Sequence, residues 1–131
     1  MISQPNLYAG VARSNGMKHA QGEYLLFLDS DDFFELDMLE KIYNKAVSTK
    51  ADIVLFDGSA YCDIEKRFVE NKSFLYAYLL ADFEVFSKED TDLIYQITTP
   101  SLWIKLFNKE FIFKNKIQFS QTKSSNDIYF S

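Results

Sequence analysis

Between residues 24 and 32 the chain reads Tyr-Leu-Leu-Phe-Leu-Asp-Ser-Asp-Asp, five apolar side chains followed at once by three carboxylates within four positions. A short apolar run that stops this abruptly fits a buried strand. In open α/β sheets, ligands sit beyond the carboxyl ends of such strands. The flanking pattern points to the same class. Residues 8–20 are expected to be helical, with Val11, Ala12, Gly16 and Ala20 along one face and Gly22 as a stop. Leu36, Leu39, Ile42, Tyr43, Ala46 and Val47 recur at helical spacing. Glu35 and Asp37 are expected in that helix's first turn, where negative charge is favoured. Asp52 to Phe56 reads as a second strand, with Ser59 to Ile64 extending it or pairing with it. Helix, strand, helix, strand implies an α/β sheet with helices packed against it.

The second half carries weaker signals. The most apolar stretch, Phe74 to Phe86, has 13 residues and is expected to be a buried helix or a helix followed by a strand. It is too short to span a membrane, which takes about 20 apolar residues, although an oligomer face or peripheral membrane contact is compatible with it. Ser87 followed by Asp90 resembles a cap opening a helix through Ile97. Leu102 to Phe107 reads as a strand, Lys109 to Asn115 as a short helix and Ile117 to Phe119 as extended chain, and residues 124–127 form a loop. The length fits one domain, residues 1–131.

Charge narrows the chemistry. Residues 29–37 hold five of the 19 acids and no base, which leaves 14 acids against 14 bases elsewhere. With a net charge of −5 and no basic patch, a nucleic-acid partner is excluded. Cys62 is the only cysteine, so neither an intrachain disulfide nor a thiolate metal cluster can form, and a cytoplasmic setting is expected. The first residues lack a basic start followed by an apolar run. Asp29, Asp31 and Asp32 at one strand end repel one another unless a partner neutralises them. Mg²⁺ is commonly held by one or two carboxylates and completes its shell with water and substrate phosphates, so a cation bridging protein and a diphosphate is the expectation. Helix-start chemistry accounts for one or two such acids.

These residues resemble the central block of family 2 glycosyltransferases, nucleotide-sugar-dependent enzymes of the GT-A fold. The resemblance runs from Val11-Ala12-Arg13-Ser14-Asn15-Gly16 through Gly22-Glu23-Tyr24 to Asp29-Ser30-Asp31-Asp32. It continues over Trp103-Ile104-Lys105-Leu106-Phe107, Ile117-Gln118-Phe119 and Asn126-Asp127-Ile128-Tyr129-Phe130. It implies a mixed sheet flanked by helices and a nucleotide-sugar donor, with a saccharide or glycolipid as acceptor in surface polysaccharide or glycolipid synthesis. It places Arg13 and Asp29 on the donor side, and Asp31 and Asp32 on Mg²⁺ or Mn²⁺. Asp127 is then the general base, Trp103 faces the acceptor, and the anomeric centre inverts. As bare residues, Asp127 also fits a turn cap, Trp103 a core side chain and Arg13 a solvated charge.

The sequence departs from the family pattern at three positions. Ser14 stands where Asn is usual, Asn126 where Glu is usual and Tyr8 where Gly is common. The family also opens with an apolar strand and a further acid that grip the nucleotide base. Here Met1 leads almost directly into the Asn6 to Arg13 segment. The expectation is a domain truncated on its N-terminal and C-terminal sides, with a weakened nucleotide site and possible completion by another chain. Two competing functions stay open: a haloacid-dehalogenase-like phosphatase with Asp29 as nucleophile, and a non-catalytic sugar-binding or assembly domain.

Overall fold

Mixed polar and apolar segments supply the helices here, and short apolar runs such as Tyr24–Leu26 and Ile53–Leu55 supply strands. The structure, a computed structural model, describes all residues except 1, 70–71, 81–83, 88, 91–93, 125–129 and 131, and leaves out the side chains of 80, 94 and 95. In chain order the elements are α1 (Tyr8–His19), β1 (Tyr24–Leu26), α2 (Met38–Thr49), β2 (Ile53–Leu55), β3 (Tyr61–Cys62), β4 (Arg67–Phe68), α3 (Ile94–Ile97), β5 (Lys105–Asn108) and α4 (Lys109–Lys114). Single 3₁₀ turns occupy Ala77–Leu80 and Leu102–Ile104. The chain divides into two compact units, one of Met1–Val54 with Pro100–Ser131 and one of Leu55–Thr99.

A three-stranded sheet runs in the order β1-β5-β2. β1 and β5 are antiparallel, with Tyr24 opposite Asn108, Leu25 opposite Phe107 and Leu26 opposite Leu106. Met17, Leu25, Leu102, Phe107, Ile112, Phe119 and Phe130 form the core of the first unit, with Phe27 packed against it. Four phenylalanines knit it together. The ring of Phe27 meets those of Phe107, Phe119 and Phe130 edge-on. The junction of β5 and α4 holds the α1–β1 connection. The Lys109 backbone N–H donates to the Glu23 carbonyl at 2.9 Å, and its Nζ donates to the Ala20 carbonyl at 2.7 Å. Asn108 caps α4 by accepting from the Phe111 N–H at 3.0 Å.

Several local expectations are corrected. The buried face of α1 is formed by Gly10 and Met17, while Ala12 and Gly16 are exposed. Met17 belongs to the core cluster with Leu25 and Phe107, where a long thioether side chain fills space more readily than an alanine. β1 is shorter than the apolar run, and Leu28 is 42% exposed. α2 starts at Met38, so Glu35 and Asp37 precede it and Glu40 is the acid of its first turn. Asp37 instead accepts from Lys41 at 2.7 Å. β3 pairs with β4 rather than with β2. Among the described residues of Phe74 to Phe86 there is no buried helix: only the 3₁₀ turn is helical, and none of them is buried. A mixed run of rings and aliphatic residues has no helical stripe to bury, and periodicity alone could not separate the two cases. Ser87 and Asp90 close on themselves: the Ser87 N–H and Oγ both donate to Asp90, at 2.7 and 2.8 Å. Among the described residues of the span expected to follow, Ile94–Ile97 are helical, as α3, and Glu89 and Asp90 form a turn. Leu102–Ile104 is a 3₁₀ turn, and the strand begins at Lys105.

Candidate functional site

β1 ends at Leu26, and the chain then passes through Phe27 and Leu28 into the acidic segment. Asp29 to Asp32 make a turn in which the Asp32 N–H donates to the Asp29 carbonyl at 3.3 Å. This folds three carboxylates back at one end of the sheet. Asp31 and Asp32 are exposed there and Asp29 is half-buried.

The trio is divided by a neighbour from α1. The Arg13 guanidinium donates to the Asp29 carboxylate at 2.8 Å, with the two side chains 21% and 44% exposed. The two residues expected on the donor side thus meet, 16 positions apart in sequence. Arg13 also stands over the Phe119 ring, 5.8 Å from its centroid. Asp31 and Asp32 keep the remaining negative charge. Although Asp32 is exposed, the slight burial it has, and after it the charges of Asp31 and Asp29, push its carboxyl above the usual carboxylate range. Desolvation and like charge both disfavour the ionised form, and a cation would offset both. Among the described residues no three His, Cys, Asp or Glu side chains are gathered as a metal cage. A pair of carboxylates with substrate phosphates is a different donor set, and one that suits Mg²⁺.

The other expected site residues fall differently. Trp103 lies in the 3₁₀ turn before β5, half-buried between buried Leu102 and Ile104. Asp127, expected as the general base, lies outside the described residues, as does Asn126 beside it. Tyr8, standing where glycine is common in the resembling family, has φ +66°. That left-handed conformation favours glycine, which gives the family's preference a physical reason at this position. Two features escaped sequence reasoning. Lys105 is the one charged residue buried among the described residues, 3% exposed, and only its place inside an apolar strand hinted at this. Phe119 was visible as part of an Ile-x-Phe segment, but nothing in that spacing linked its ring to Arg13.

Comparison with known proteins follows the same block. A family model described as "Glycosyl transferase family 2" matches residues 1–113. A cholesterol galactosyltransferase of Borreliella burgdorferi is 33% identical over 99% of this chain and 37% of its own length. The poly(ribitol-phosphate) beta-N-acetylglucosaminyltransferase TarP of Staphylococcus aureus is 33% identical over 94% of this chain and 35% of its own. The chain therefore spans about a third of the length of the curated relatives it matches. Among solved structures, S. aureus TarS, residues 1–349 in complex with UDP, superposes with a TM-score of 0.69 at 22% identity, covering 98% of this chain and 35% of that one. The expected GT-A-like α/β architecture is the one observed.

Proposed function

The chain belongs to glycosyl transferase family 2, and from that premise we propose that it carries the donor-side machinery of an inverting transferase. The enzyme would move a sugar from a nucleotide-sugar donor to a hydroxyl of a saccharide or glycolipid acceptor, at the cytoplasmic face of a membrane. The observation that carries this reading is the turn after β1, where Arg13 compensates Asp29 while Asp31 and Asp32 stand exposed in the same turn. Two relatives support a hydroxyl-bearing acceptor, being named for cholesterol and for poly(ribitol-phosphate).

Asp31 and Asp32 would hold Mg²⁺ or Mn²⁺, which offsets the negative charge that builds on a diphosphate leaving group. The chain's own side chains do the rest. Arg13 fixes the direction of the Asp29 carboxylate, whose second oxygen is suited to accept from a donor hydroxyl. Asp127 is assigned as the general base that takes the acceptor proton as its oxygen attacks the anomeric carbon. A single displacement leaves no covalent intermediate, so the centre inverts. Trp103 offers a flat apolar face of the kind on which sugar rings pack. The phosphatase alternative loses its ground on two counts: the family is a transferase family, and one oxygen of the supposed nucleophile Asp29 is occupied by Arg13.

Paramagnetic NMR tests the assignment. Substoichiometric Mn²⁺ is expected to broaden the amide signals of residues 29–33 first, and added UDP to sharpen that preference. The pair Asp31→Asn and Asp32→Asn should abolish it. Broadening spread evenly over the protein's acidic residues would refute the site. UDP binding is expected to be weak and dependent on the cation.

A further inference from the structure

Phe119 does two things in this fold that its place in the core does not require. It is 5% exposed and stacked on Phe130, with ring centroids 4.0 Å apart and planes within 9°. It is also the ring over which the Arg13 guanidinium stands, at 5.8 Å. Near-parallel stacking sets two electron-rich ring faces together. A cation over the stack draws on that same electron density, and a planar guanidinium does so while keeping its N–H groups free to donate sideways. Here an Arg13 N–H donates to Asp29, 2.8 Å away. Arg13 has long, flexible stem torsions, and one ion pair to a partly exposed carboxylate contributes little by itself to holding such a side chain in place. The ring is the rigid member of the group, fixed by edge contacts to Phe27 at 5.1 Å as well as by Phe130.

We propose that Phe119 is a positioning residue, whose ring face orients the Arg13 guanidinium onto Asp29 and so sets the direction of the Asp29 carboxylate at the end of β1. The segment after α4 thereby acts on the site at a distance, without touching substrate. The consequence for donor binding rests on the function proposed above, whereas the orientation of Arg13 does not.

Two readouts separate the two. The first is the guanidinium of Arg13 in ¹⁵N-labelled protein, where a side chain held by a ring and a carboxylate gives separate, slowly exchanging Nη signals. Replacing Phe119 by phenylalanines of increasing ring fluorination keeps the shape and drains the face. The Nη signals are expected to merge progressively, even where stacking on Phe130 and thermal stability improve. A merely structural role predicts signals that follow stability. The second readout is the affinity for UDP with Mg²⁺, measured by shift titration. Phe119→Leu is expected to weaken it about three-fold, the size of one modest cation–π contact. Phe119→Tyr is expected to restore it. Unchanged Arg13 signals across the fluorinated series would overturn the proposal, whether or not Phe119→Leu folds. Absence of metal at Asp31 and Asp32 would instead overturn the proposed function and leave this result standing.

Discussion

The unit of residues 1–54 and 100–131 is organised around rings, and the unit of residues 55–99 around a carboxylate. In the first, Phe107 is 1% exposed and Phe119 and Phe130 are 5% and 4% exposed, packed with Met17, Leu25 and Ile112. The second is just as rich in aromatic residues, yet none of its described rings is buried, and Ile97 is its one buried hydrophobic among the described residues. Its order comes from Asp57. That side chain accepts from the Gly58, Phe74 and Leu75 N–H groups at 2.8, 2.8 and 3.2 Å, and from the Ser73 Oγ at 2.6 Å. The Tyr76 N–H donates to the Ile97 carbonyl at 2.7 Å, and Leu75 bridges Thr98. Ring content alone therefore does not predict a core. Rings make one where a strand pair gives them a surface that other segments cover, as β1 and β5 do; β3 and β4 also pair, with Tyr61 against Phe68, yet both rings stay exposed. Without such a surface, loop backbone is satisfied locally by a short acidic side chain.

The comparison can be broken first at the rings. Phe107→Ala removes a buried ring contacting Phe27 and Phe130, and should cost about 3–5 kcal/mol in urea unfolding. A loss near zero would mean the ring cluster is not the core. Next comes Asp57→Ala, which strips four donors of their acceptor. Because the site is exposed and water can replace the side chain, the expected loss is about 1 kcal/mol. It should be read as faster hydrogen exchange at the Phe74 and Leu75 amides.

Acid should reproduce that loss. Burial pushes the Asp57 carboxyl up, but the bonds from Ser73, Phe74, Gly58 and Leu75 outweigh it and hold the group below the usual carboxylate range. Asp90 is held low as well, by Ser87. Carboxyls depressed in the fold stabilise it above their unfolded value, about pH 4, and lose that contribution as pH falls through the folded value. Protection of the Phe74 and Leu75 amides should therefore decline below about pH 4, and Asp57→Ala should flatten the profile.

Smaller still is Tyr8→Gly, which relieves a left-handed backbone in the ring-built unit. A gain of up to about 1 kcal/mol in thermal unfolding is expected. Asp37→Asn breaks an exposed pair with Lys41 and should leave the unfolding midpoint unchanged.

Much of this was legible in the chain itself. The run ending at Asp29 marked a strand, the spacing of Ile42 and Ala46 marked α2, and Lys109 to Asn115 was read as the short helix α4, because each signal is local. The acidic trio and its resemblance to a transferase block pointed to the candidate site for the same reason, since the three residues are neighbours in sequence. Arg13 was legible only as a donor-side residue by resemblance, and its contact with Asp29 was not. Tertiary structure alone decided which carboxylate Arg13 would neutralise, that Phe119 would stand beneath it, and that Met17 rather than Ala12 would face the core. Those outcomes depend on where separate segments cross in space. The apolar stretch at Phe74 to Phe86 looked like core because hydrophobicity counts side chains, whereas burial requires a facing surface to cover them.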